Sequence, residues 1–160
     1  MNPTRNDLNS KTRAAVTALL NDALATLIDL QLQAKQAHWN VKGPNFIALH
    51  ELFDSVNSLV QQFVDMTAER VVALGGTAQG SLSAILDSTS LKPYPSNIVS
   101  GQQHVSALSD ALAAVAKLMR QGIEQAVVLT DAVTADLFTE VARELDKQLW
   151  FVESHLQGDS

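Results

Sequence analysis

Most of the residues that interrupt helices are gathered into three places: Gly43-Pro44, the Gly-containing stretch 75–80, and Pro93 to Pro95. Between them apolar residues recur at helical spacing and strand-like alternation is rare, so the chain reads as all-α. Val16, Leu20, Ala23, Leu24, Leu27 and Ile28 mark one face of a first helix from about residue 10 to about residue 40. The turn Lys42-Gly-Pro-Asn45 ends it. Asn45 is placed to cap a second helix, whose stripe includes Leu49, Leu52, Phe53, Val56, Leu59, Val60, Phe63 and Val64, with a stop at Gly75-Gly76.

Residues 77–96 carry turn chemistry around a short apolar piece, Leu82 to Leu86, as a crossover with one small helix would. A third long helix is expected from about Asn97 to about Val128, and a fourth from Asp131 to about Leu156. Two long hairpins joined by a crossover make a four-helix bundle. The 160 residues suit a single domain, 1–160, with short polar tails at 1–9 and 157–160.

The chain has no cysteine, so any metal must be held by His and carboxylates. No apolar run approaches 20 residues and the first 13 lack a signal-peptide core, so the expectation is a soluble protein of the cytoplasm with no membrane partner. A net charge of -6 with scattered basic residues favours cations over phosphate backbones.

The second helix carries His50, Asp54, Asp65 and Glu69, and the first ends near His38. The pairs His50/Asp54 and Asp65/Glu69 are each spaced four apart, so each projects from one helix face. Nitrogen and carboxylate donors suit Fe, Mn or Zn. The two pairs stand about 16 Å apart at ~1.5 Å rise per residue, too far to share an ion within one helix. They do share a midpoint, between residues 59 and 60. A helix crossing its own copy antiparallel at that midpoint would bring His50 opposite Glu69 and Asp54 opposite Asp65. The expectation is a two-fold dimer with two equivalent sites, each taking His38, His50 and Asp54 from one subunit and Asp65 and Glu69 from the other. The competing readings are solvated His/carboxylate pairs and a purely structural Zn site. A di-iron centre inside the bundle would need Glu-x-x-His motifs, and none occurs.

The stretches AHWNVKGPNFIALHELFD (37–54), DMTAER (65–70), LGG (74–76) and LDKQLWFVES (145–154) together resemble the signature of Dps, the mini-ferritin family. The resemblance covers about residue 4 to about residue 156. It implies a ferritin-like bundle assembled as a hollow dodecamer. It also implies catalytic and metal ligands at His38, His50, Asp54, Asp65 and Glu69, the same five that the register argument selects. Its further implication is an oxidoreductase that binds Fe(II) as substrate, oxidises it preferably with hydrogen peroxide, stores ferric mineral and protects against oxidative damage. No organic cofactor is implied.

Iron would enter such a cage through a pore, for which Asp131, Asp136 and Glu140 are the candidates, with helix capping as their bland role. Trp39 is read as packing, with scavenging of oxidising equivalents as the alternative. Lys35 is read as solvated, with orientation of a site carboxylate as the alternative. His104 and His155 are read as surface or packing residues, and Trp150 and Phe151 as core or interface. Many Dps proteins bind DNA through a Lys-rich tail. Here only Arg5, Lys11 and Arg13 stand against Asp7, and the C-terminal Leu-Gln-Gly-Asp-Ser160 is acidic. This departure weighs against DNA as a partner. The alternative function is a nucleoid protein whose cage mainly coats DNA.

Overall fold

The computed structural model describes residues 1–157 and contains helices α1 (Ser10–Asn40), α2 (Phe46–Ala73), α3 (Leu82–Ser88), α4 (Gly101–Val128) and α5 (Ala132–Glu153), followed by a 3-10 turn, Ser154–Leu156. No strand occurs among the described residues. Helices α1 and α2 form one hairpin and α4 and α5 the other, with α1 against α4 and the small α3 against α1. The core is built from Leu20, Leu27, Leu30, Phe53, Leu112 and Phe138, all essentially removed from solvent. By length and composition α1 would suit a bilayer, but Leu20, Leu24, Leu27 and Leu30 on it are enclosed by the bundle.

The helix ends show where sequence signals sufficed. Asn9 caps α1, accepting from the Thr12 amide at 2.9 Å. The α2 helix closes in a Schellman arrangement, with Gly76 N–H donating to Val71 O and Gly75 N–H to Val72 O, both at 2.9 Å. Gly75 sits at φ +85°, and a Cβ on Gly76 would lie 2.3 Å from the Thr17 methyl, so this pair of glycines is required by both conformation and space. Helix α4 starts at Gly101, later than the expected Asn97, because Ser100 and Gln103 form a capping box that fixes the first turn. Asn45 occupies the N-cap position of α2 but its side chain makes no capping bond; the turn is held instead by Phe46 N–H donating to Gly43 O.

The turn between α4 and α5 carries no glycine. Thr130 takes the left-handed position itself, at φ 60°, and the same pair of Schellman bonds runs from Thr130 N–H to Val127 O and Asp131 N–H to Ala126 O. Asp131 then caps α5, accepting from the Thr134 amide.

Candidate metal centre

His38 and His50 face each other across the α1/α2 hairpin, where the Gly43-Pro44 turn folds α2 back alongside α1. Their rings stack with centroids 3.7 Å apart. Each ring donates from Nδ1 to the other residue's backbone carbonyl, at 2.7 Å for His38 and 2.9 Å for His50. These reciprocal bonds fix the tautomer, so each ring presents the lone pair of Nε2, the form a metal ion needs. Asp54 lies one turn beyond His50 and accepts a hydrogen bond from the Lys35 ammonium. That bond outweighs the opposing desolvation and, aided by the Lys35 charge, holds the Asp54 carboxyl below its ordinary range. Lys35 is therefore not merely solvated: it pairs with the candidate ligand Asp54.

Asp65 and Glu69 lie on the exposed surface of the same helix, and among the described residues neither enters an ion pair or side-chain hydrogen bond. At about 100° of rotation per residue, His50, Asp54, Asp65 and Glu69 fall within an arc of about 100°. Nowhere among the described residues of the single chain do three His, Asp or Glu side chains gather closely enough to enclose a metal ion. Each half-site is incomplete alone.

Exposure adds to the register argument. Ile47 and Val72 lie on that same arc, are 60% and 57% exposed, and share the midpoint between residues 59 and 60. An antiparallel copy would bury each against the other at the outer ends of the contact, with Asn57, Ser58, Gln61 and Gln62 at its centre. The sequence reading did not use this apolar pair; solvent exposure of two β-branched residues within a folded bundle is what makes it visible.

The pore candidates separate. Asp131 is 2% exposed and cannot line a channel: its two oxygens accept from the Arg70 guanidinium at 2.9 Å each, and from the Thr134 amide and hydroxyl at 3.1 and 2.6 Å. Burial alone would raise the Asp131 pKa, but the Thr134 and Arg70 bonds outweigh it and hold the carboxyl below its usual range. Asp136 and Glu140 do reach the surface, in a shallow groove that also contains Glu69, Arg70 and Val133. Arg70 thus ties the turn after Glu69 to the start of α5, a clamp that no spacing in the sequence disclosed.

The remaining named residues fall as follows. Trp39 is 65% exposed, so it does not pack within the chain. Trp150 and Phe151 rest on each other, centroids 4.9 Å apart, but are 60% and 36% exposed and are not core. His155 is exposed, whereas His104 is buried beneath the crossover. The N-terminal tail is not free: Asn2 N–H donates to Gly75 O, Leu8 packs on the core, and Arg13 donates from Nε to Leu8 O and from Nη1 to Leu74 O. Arg13 is thereby engaged within the chain. Residues 158–160 of the C-terminal tail, Asp159 among them, lie outside the described residues.

The Ferritin-like domain family matches residues 17–160. The chain is 48% identical over 157 residues to the DNA protection during starvation protein of Agrobacterium fabrum, spanning 98% of this chain and 97% of that protein. The chain belongs to the Dps family of ferritin-like proteins. Among solved structures, Mycobacterium smegmatis Dps superposes with a TM-score of 0.92 at 37% identity, over 98% of this chain and 94% of the other. Dps from Microbacterium arborescens, described in a high iron form, superposes with a TM-score of 0.87 at 33% identity, over 94% of this chain and 97% of the other. Within this Dps fold the five candidate ligands sit on α1 and α2, the hairpin that the Gly43-Pro44 turn defines.

Proposed function

We propose that this Dps protein is a ferroxidase and iron store, using Fe(II) as substrate and hydrogen peroxide as the preferred oxidant, in a cytoplasmic dodecamer. The observation that carries the reading is the stacked pair of imidazoles with Nδ1 committed to backbone carbonyls, which leaves Nε2 of each for a metal ion; Asp54, one turn beyond His50, and Asp65 and Glu69 of a two-fold mate would complete the ligand set. Two imidazoles and three carboxylates suit iron in both oxidation states, because the carboxylate charge stabilises Fe(III) as it forms. Lys35 keeps Asp54 ionised before the cation arrives and yields it on binding. Two-electron reduction of peroxide by paired ferrous ions avoids the hydroxyl radical that one-electron reduction releases.

The ferritin-like family and a relative described in a high iron form support iron handling. DNA coating is the weaker reading, since the basic residues of the N-terminal region are few and Arg13 is held by main-chain oxygens. The test is anaerobic Fe(II) loading followed by stoichiometric peroxide, recording ferric absorbance and a hydroxyl-radical spin trap against a protein-free control. Fast oxidation with suppressed radical is expected; a trace matching the control would refute the reading.

A further inference from the structure

His104 stands in the first turn of α4, 1% exposed. Its Nδ1 lies 2.7 Å from the hydroxyl of Tyr94, the sole tyrosine of the chain. Tyr94 is held between Pro93 and Pro95 in the crossover, which limits its backbone, and its ring lies nearly parallel to the imidazole at 19°. On the other side of the ring, Nε2 is buried and makes no full hydrogen bond among the described residues. The Asn40 main chain nevertheless lies close enough to favour the protonated ring. A phenol is the stronger acid of the two, so in the neutral pair the Tyr94 hydroxyl donates to Nδ1 and the imidazole proton sits on Nε2. Burial lowers the His104 pKa and raises that of Tyr94, so both groups rest neutral. Asn40 is two residues beyond His38, so the pair adjoins the end of α1 that holds the iron ligand.

We propose that Tyr94 and His104 form a proton-coupled sink for one-electron oxidants that escape iron oxidation. A hydroxyl radical, formed when a single Fe(II) meets peroxide, takes one electron from Tyr94 and becomes hydroxide. The phenolic proton moves along the existing hydrogen bond to His104 Nδ1. This leaves a neutral tyrosyl radical beside an imidazolium. A further Fe(II) returns one electron, becoming Fe(III), the proton moves back, and the pair is restored. The geometry supplies what tyrosine oxidation needs, a base already hydrogen-bonded to the phenol and shielded from solvent.

The inference rests on the ferroxidase reading, so its test has one arm with iron and one without. In the iron arm, freeze-quenched samples of assembled protein with Fe(II) and substoichiometric peroxide are examined by electron paramagnetic resonance. In the iron-free arm, a photogenerated ruthenium(III) polypyridyl oxidises the protein directly. A tyrosyl signal can arise only at Tyr94, because no other tyrosine exists. It is expected in both arms and absent in Tyr94→Phe, which should also release more spin-trapped hydroxyl radical during turnover. His104→Gln keeps a hydrogen-bond acceptor for the phenol but no base, so the radical should be lost or greatly diminished while the helix content stays wild-type. Two outcomes overturn the proposal: no tyrosyl signal in wild type in the iron-free arm, or unchanged radical release in Tyr94→Phe while iron is oxidised normally. A tyrosyl signal in the iron-free arm with no iron oxidation would instead overturn the ferroxidase reading and, with it, the role of the pair during turnover.

Discussion

Because each half-site is incomplete, two inactive chains should repair one another. One variant carries His50→Ala with Asp54→Ala; the other carries Asp65→Ala with Glu69→Ala. All four side chains lie on partly or fully exposed positions of α2, so neither variant removes core packing. Alone, each variant forms two-fold contacts in which both sites lack ligands. When the two are co-expressed and assort at random, about half of the two-fold contacts join one chain of each kind. In such a contact one site recovers all five ligands and the other keeps only His38, so about one quarter of the wild-type site number is rebuilt. The assay is the initial rate of peroxide-driven ferric absorbance per assembled protein, with the two variants mixed after assembly as the control. A co-assembled rate near one quarter of wild type, against baseline for each parent and for the late mixture, is the expected result. A co-assembled rate no higher than the parents' would refute the antiparallel register. Full activity in either parent would refute the ligand assignment.

Other consequences concern stability, read as melting temperature at fixed protein concentration because assembly is linked to folding. Asp131→Asn should cost about 3 kcal/mol, since it leaves the Arg70 guanidinium, 16% exposed, without its bidentate partner. The folded Asp131 pKa is depressed, so its contribution is complete above the ordinary carboxylate range and disappears as pH falls through the folded value. The gap between wild type and Asp131→Asn should therefore close on acidification, and a pH-independent gap would contradict the ion-pair account. Gly122→Ala would place a Cβ 2.9 Å from the Phe138 ring. Overpacking of about 1–3 kcal/mol against a helix-propensity gain of about 1 kcal/mol predicts a net loss of about 1 kcal/mol, and a stabilised variant would disprove the close approach. Thr130→Gly should gain about 0.5–1 kcal/mol by relieving the left-handed strain of a β-branched residue, and a loss would show that the turn is not strained.

Much of this was legible in the chain. Helical periodicity and the placement of Gly43-Pro44, Gly75-Gly76 and Pro93 to Pro95 determine the number of long helices and nearly all of their ends, because those signals act within a turn or two of the backbone. Spacing along α2 also singles out four of the five candidate ligands, His50, Asp54, Asp65 and Glu69, and suggests the two-fold register proposed for them, since a rigid helix converts residue number into distance. What the residue order could not decide depends on contacts between elements far apart in sequence. Asp131 reads as a pore acid or a cap until the fold brings Arg70 onto it from 61 residues away. Lys35 reads as solvated until the hairpin sets it against Asp54. The imidazole tautomers depend on carbonyls across that hairpin, and His104 gains its phenol only when the crossover lies over α4. Local propensity writes the elements, but a side chain's charge state and hydrogen-bond partner belong to whichever surface the packed bundle turns toward it.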